Sequence, residues 1–214
     1  MKNSIANIPF VKSWLNYFNA LGYKIKNKKL RIGFRNKILN SQFGVHNTLG
    51  DMVSIQNSSL GDYSYISYET TLRHAAIGKF CSIGPRCQIG LGKHPTTGFL
   101  STHPLFFSKK PPTAFSLLKE DKFNEIEPIT IGHDVWIGAN VLIMDGVSIG
   151  NGAIIAAGSI VTKNVASFSI VKGAPAEHYK FRFTSKEIES IIDDPWWNKD
   201  LKWLRENVNT FQIS

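Results

Sequence analysis

Two histidines stand close together in the chain, His94 in Gly92-Lys93-His94-Pro95 and His103 in Ser101-Thr102-His103-Pro104. An imidazole changes charge near neutral pH, so each is a candidate general base for a hydroxyl proton. His46, His74, His133 and His178 lie apart from them. No histidine pair has short metal-ligand spacing, and no zinc motif is expected. The two cysteines, Cys81 and Cys87, are expected to be buried small residues, neither a disulfide nor a nucleophile. No Ser–His–acid constellation stands out, which argues against a covalent enzyme intermediate.

The elements that must position these residues show an unusual period. Ile131, Ile137, Ile143, Ile149, Ile155 and Val161 fall six apart, which fits neither a helix nor a simple strand. Upstream the anchors are Ile32, Ile38, Phe43, Leu49, Ile55, Leu60, Ile66, Leu72, Ile77, Ile83 and Ile89, with steps of five at three places. Three hexads make a coil of 17 or 18 residues. Ten of the seventeen anchors precede a glycine, against a background near 7%. Four residues after an anchor stands a small residue, as at Val135, Val141, Val147, Ala153 and Ser159. These hexapeptide repeats predict a parallel β-helix, with anchors inward, small residues at tight corners, and glycines tolerating turn dihedrals.

The organisation follows. Residues 1–31 form an N-terminal cap segment. Val11, Trp14, Leu15, Phe18 and Leu21 at helical spacing predict an amphipathic helix, read as a cover for the open end of the solenoid. The alternative is weak contact with a membrane surface. Residues 32–170 form the β-helix domain, interrupted by an excursion over 90–130 that carries both histidines. A period-free stretch of that length is functional or disordered, and its aromatics and prolines predict order. Residues 171–214 form a turn and a helical tail, starting near Ser185 and packed by Trp196, Trp197 and Trp203.

The 214 residues carry a formal charge of +9, placed unevenly. Residues 1–50 hold nine Lys or Arg and no acid, while the rest hold sixteen of each sign. A neutral solenoid disfavours nucleic acid as a partner. The basic cluster is Lys24, Lys26, Lys28, Lys29, Arg31, Arg35 and Lys37. No apolar run is long enough for a membrane span, and no signal peptide is apparent, so a cytoplasmic location is expected.

Together these motifs resemble the hexapeptide-repeat acyltransferases. The features are the His94 loop with Ser101-Thr102-His103-Pro104, Asp134-Val135-Trp136-Ile137-Gly138, Ala156-Ala157-Gly158-Ser159 with Thr162-Lys163, the Gly173-Ala174-Pro175-Ala176 turn, Arg182-Phe183 and Trp196-Trp197. The chain looks most like the xenobiotic acetyltransferase branch, which includes streptogramin and chloramphenicol acetyltransferases and many sugar O-acetyltransferases. The resemblance implies a mainly β, left-handed parallel β-helix; the left hand comes from the family alone, since the general crossover rule favours the right.

It also implies acetyl-CoA as co-substrate, no metal, and a homotrimer with active sites between subunits. His94 matches the family's catalytic histidine. His103 is an acceptor contact or alternative base, and Phe106 and Phe107 are anchors of the loop on its neighbour. Ala139 and Ala157 would meet the pantetheine arm, Ser159, Thr162 and Lys163 would lie toward the nucleotide, and Trp136 would line the acyl channel. The expected reaction is acetyl transfer to a sugar hydroxyl in surface-polysaccharide assembly, with an antibiotic acceptor as the alternative. A zinc carbonic anhydrase on the same solenoid would need three ligating histidines on adjacent coils, and a non-catalytic scaffold would have little use for a histidine-bearing excursion. Two features depart from the family: Ala166-Ser167 stand where two prolines are common, and the loop between His94 and Ser101 is two residues longer than in the antibiotic enzymes.

Overall fold

The computed structural model describes residues 9–27, 29–113 and 115–212, with side chains from residue 14. Residues 1–8 of the cap segment, the side chain of Val11, and Lys28 of the basic cluster lie outside the described residues. Helix α1 spans Pro9–Lys26. Short strands follow: β1 (Arg31–Ile32), β2 (Lys37–Leu39), β3 (Gln42–Phe43), β4 (Thr48–Leu49), β5 (Ser54–Gln56), β6 (Ser59–Leu60), β7 (Tyr65–Ile66), β8 (Thr71–Arg73), β9 (Ala75–Ile77), β10 (Ser82–Ile83) and β11 (Gln88–Ile89). After the excursion come β12 (Ile129–Ile131), β13 (Trp136–Ile137), β14 (Leu142–Ile143), β15 (Ser148–Ile149), β16 (Ile154–Ile155), β17 (Ile160–Val161), β18 (Ser169–Lys172) and β19 (Glu177–Phe181). The tail holds α2 (Ser185–Asp193) and α3 (Leu201–Glu206).

Through β17 every third strand pairs, in parallel; β18 then adds to β16 in parallel, and β19 to β18 antiparallel. One face runs β1-β4-β7-β10-β13-β16-β18-β19, a second β2-β5-β8-β11-β14-β17, and a third β3-β6-β9-β12-β15. Thr48 pairs with Tyr65, 17 residues on, and Trp136 with Ile154, 18 residues on, the coil lengths that the hexads predict. The chain is therefore a parallel β-solenoid of about eight turns. Ile66, Leu72, Ile83, Ile89, Ile137, Ile143 and Ile155 are buried in one column. Each such side chain contributes about 1.5–3 kcal/mol when removed from water.

Apart from Gly90, with φ +79, the glycines after the anchors serve a purpose other than the predicted one. Gly33, Gly50, Gly84 and Gly138 are absent from the residues with positive φ. Left-handed backbone falls instead on side-chain-bearing corner residues such as Met52, Tyr63, Phe80 and Asn140. Their N–H groups donate to the coil below, as Met52 N does to Phe34 O at 2.7 Å. The glycines are needed because coils touch there. A Cβ on Gly138 would stand 2.5 Å from Ala157 N, and one on Gly84 2.7 Å from Gly138 C.

The small corner residues are buried and tie coils together. Ser64 Oγ donates to Gly78 O at 2.8 Å, and Thr70 Oγ1 to Gly84 O at 3.0 Å. The Cys81 and Cys87 thiols continue the series onto Gly132 O and Gly138 O. Burial pushes the Cys81 thiol up to about 12 and raises Cys87 as well, so both are structural.

Helix α1 forms, but its packing face differs from the predicted one. Trp14, Leu15 and Phe18 are exposed. The residues on the first coil are Asn19, Ala20, Tyr23 and Asn27. Asn19 Nδ2 donates to Ile38 O, Asn27 Nδ2 to Gly44 O at 2.6 Å, and Ser41 N donates to Tyr23 Oη at 3.2 Å. The first coil has no coil beneath it, so its backbone groups need polar partners. Amides supply them where an apolar face would not.

At the other end, α2 starts at Ser185, as expected. Thr184 is its N-cap, in a capping box with Glu187. Trp197 is buried and stacks on His133 at 5.6 Å, and Trp196 meets Phe80 at 4.9 Å. The tail is thereby clamped to the corner between the third and first faces. His133 Nδ1 accepts from Lys79 N at 2.9 Å, which with the stacking makes it structural.

Candidate active site

The excursion begins at the corner where β11 ends, and it is built on the solenoid. Asp145 Oδ2, in the turn one coil further on, accepts from Leu91 N at 2.8 Å and Gly92 N at 2.7 Å. The two ends of the excursion run together: Lys93 N donates to Glu125 O at 2.9 Å, and Lys93 pairs with Glu127. Further out, Lys122 N donates to Phe107 O at 2.7 Å and Lys109 N to Asp121 Oδ1 at 2.7 Å. Phe99, Phe107 and Phe123 meet edge to face beneath this frame.

His94 stands at the root of the frame. Its ring meets the buried Phe107 edge-on at 5.6 Å, and its Nδ1 lies 2.6 Å from Thr102 O. A carbonyl only accepts, so Nδ1 carries the proton and the neutral ring keeps its lone pair on Nε2. His103 has the opposite arrangement. Its Nδ1 accepts from Leu105 N at 3.2 Å, as the cap of a short 3-10 turn at Pro104–Phe106. The neutral His103 ring therefore presents Nε2–H, a donor. Both rings are exposed. One residue can take a proton at Nε2 and the other can give a hydrogen bond.

The other predicted residues divide. Phe106 is half exposed at the loop surface, but Phe107 is fully buried. Phe107 thus cannot reach an acceptor or a neighbouring chain; an apolar cluster inside the loop outweighs exposure. Ser159 is likewise fully buried, and its Oγ accepts from Gly173 N at 3.2 Å. Its place four after an anchor makes it a corner residue, so its side chain is not available to a ligand. Ala157, Thr162 and Lys163 are exposed, and Ala139 is half-buried. Trp136 is 56% exposed on the outer side of the first face.

Within one chain these groups do not all converge. Ala139 and Ala157 occupy the corner between the first and second faces. The His94 loop, Thr162 and Lys163 leave the corner between the second and third faces. The width of the second face separates the two sets. Sequence reading did not find Asp145 or the Thr102 carbonyl. An Asp before Gly146 is common in turns, and a backbone acceptor has no side-chain signature. Among the described residues no group of three His, Cys, Asp or Glu could hold a metal ion, and no helix is long and apolar enough to cross a membrane.

Comparison with known proteins agrees with this fold. A family model described as bacterial transferase hexapeptide (six repeats) matches residues 128–163. A chloramphenicol acetyltransferase of Klebsiella aerogenes is 33% identical over 176 residues, covering 73% of this chain and 83% of that protein. A probable macrolide acetyltransferase of Lysinibacillus sphaericus is 43% identical over 140 residues, 62% of this chain and 71% of that protein. Among solved structures, a point mutant of the N-acyltransferase AntD of Bacillus cereus, with dTDP-4-amino-4,6-dideoxyglucose and coenzyme A, is similar. It aligns with a TM-score of 0.55 at 20% identity, over 78% of this chain and 84% of that one, and so speaks for the fold. With the solenoid, its ordered histidine-bearing excursion and relatives aligned over most of their length, this chain belongs to the hexapeptide-repeat acetyltransferases, enzymes that draw on acetyl-CoA and need no metal.

Proposed function

We propose that the protein transfers the acetyl group of acetyl-CoA to a sugar hydroxyl, in surface-polysaccharide assembly, with His94 as general base. The observation that carries this reading is the bond from His94 Nδ1–H to Thr102 O. It fixes the tautomer whose Nε2 is free to accept. The acceptor hydroxyl gives its proton to Nε2 as its oxygen attacks the thioester carbonyl. The tetrahedral oxyanion collapses, the C–S bond breaks, and the coenzyme thiolate recovers the proton from the imidazolium. The Thr102 carbonyl keeps the ring in place throughout by accepting from Nδ1–H. His103 Nε2–H is placed to donate to another oxygen of the acceptor, and exposed Phe106 offers a face for a sugar ring.

The coenzyme arm would run along the corner at Ala139 and Ala157, where the small side chains let it approach the backbone. Trp136 would flank the acyl end, and Thr162 and Lys163 would meet the nucleotide. Because the His94 loop and the alanine corner stand on opposite edges of the second face, a site shared between subunits of a trimer fits the arrangement. A second reading keeps this chemistry and makes the acceptor a hydroxyl-bearing antibiotic. The names of the two relatives favour it.

The test is thiol release from acetyl-CoA with nucleotide sugars, oligosaccharides, chloramphenicol and a streptogramin as acceptors. Removing a general base lowers kcat about 10²- to 10⁴-fold, so His94→Ala should lose that much with the true acceptor. His103→Ala should mainly raise KM. Release with the drugs alone would replace the sugar by the antibiotic. Full kcat in His94→Ala with loss in His103→Ala would overturn the assignment of the base.

A further inference from the structure

A groove of about 820 Å³ lies between α1 and the lower part of the second face. Tyr17 from the helix and Phe34, Arg35, Asn36, Lys37 and Arg73 from the coils are among its walls. Three cations face it and no Asp or Glu does. Among the described residues, none of Arg35, Lys37 and Arg73 forms an ion pair. The nearby acids are engaged: Asp51 Oδ1 accepts from Phe34 N at 2.7 Å, and Glu69 holds Arg86 at 2.8 Å. Three cations without an ion-pair partner in one groove favour an anion of more than one negative charge. The Arg35 guanidinium lies over the Phe34 ring at 5.2 Å, which orients its remaining edge for an anion.

Position ties the groove to the chemistry. Arg73 ends β8, and β8 pairs with β11, the strand from which the His94 loop departs. The two backbones are in contact there, since a Cβ on Gly90 would stand 2.3 Å from Arg73 O. Lys37 on β2 is three strands, roughly 14 Å, below β11. The cations thus run along the same face from which the base-bearing loop departs.

We propose that this groove binds the diphosphate of a diphosphate-linked sugar, so that the acceptor of the reaction is a sugar carried on a diphosphate. The inference rests on the saccharide reading above and narrows it. The diphosphate could belong to a nucleotide sugar or to a polyprenyl-linked one. The exposed Trp14, Leu15 and Phe18 on the outer side of α1 would suit the lipid form, in which the helix rests on the membrane surface.

The test uses the full chain. Calorimetric titration with inorganic pyrophosphate and with UDP-N-acetylglucosamine probes the soluble form. Sedimentation with phosphatidylcholine vesicles, with and without a polyprenyl-diphosphate N-acetylglucosamine, probes the lipid form. Lys37→Gln and Arg73→Gln should each weaken binding about 10- to 100-fold, the worth of one charge-assisted hydrogen bond, and Lys37→Glu should abolish it. Coenzyme A affinity should stay unchanged in all three, which shows that the variants are folded. Binding of both soluble probes, lost in the variants, supports a nucleotide-linked acceptor. Binding only to the loaded vesicles, lost in the same variants, supports a lipid-linked one. No binding in either arm, or binding that survives Lys37→Glu, overturns the proposal. Loss of acetyl transfer in His94→Ala with no diphosphate binding by wild type would leave the acetyltransferase reading intact and remove only this one.

Discussion

Gly138 separates two explanations of the repeat. If dihedral freedom is the main thing glycine supplies to the coils, the corner residue Gly158, with φ +72 and open space around its missing Cβ, should be the costlier one to replace. If it is there because coils touch, Gly138 should be. Gly138 has ordinary backbone angles, but its Cβ would meet Ala157 N at 2.5 Å and Ala157 Cα at 2.8 Å. These are backbone atoms in the next coil and cannot rotate away. Overpacking of this kind costs about 1–3 kcal/mol. Separating the coils also strains the bond from Gly138 N to Ile155 O, 2.8 Å long, worth about 1 kcal/mol. The expected total for Gly138→Ala is about 3 kcal/mol, or a fall in Tm of roughly 6–12 °C for a chain of this size. Gly158→Ala meets only the left-handed penalty of about 1–2 kcal/mol, a fall of roughly 2–8 °C. Thermal unfolding by circular dichroism, at one protein concentration and without ligands, measures both. A smaller loss in Gly138→Ala than in Gly158→Ala would refute the close-approach argument.

Two further outcomes are expected. Burial, helped by the neighbouring Lys79 charge, holds the His133 imidazole below its usual range, and its Nδ1 lone pair is taken by Lys79 N–H. Below about pH 6.5 the unfolded chain takes up a proton that the folded one refuses. Stability should therefore fall as pH drops from about 6.5 toward the folded value, and denaturant midpoints should lose that slope in His133→Asn. Cys81 and Cys87, with raised thiols and no exposure, should resist iodoacetamide at pH 8 in the folded protein and react once it is unfolded; rapid labelling of the native chain would show that the corners open.

The hexads made the solenoid legible because a repeat dictates its own neighbours. Once residue 49 stacks on residue 66, the same spacing stacks 66 on 83, and no distant information is needed. For the same reason the buried anchors and the Cys81 and Cys87 corners could be read in advance. The face of α1 could not. Its apolar stripe pointed to Trp14 and Phe18, but the first coil exposes carbonyls, and Asn19 and Asn27 answered them. The excursion obeys no period, so contacts within it depend on which residues the loop brings back. His94 could be singled out by its place beside the last anchor. That its proton sits on Nδ1 depends on a carbonyl eight residues away, and that Phe107 turns inward depends on Phe99 and Phe123. Composition placed the positive charge in the first fifty residues. Only the fold set Arg35, Lys37 and Arg73, from three different strands or corners, along one groove, because coil stacking brings together residues that the chain separates by whole turns.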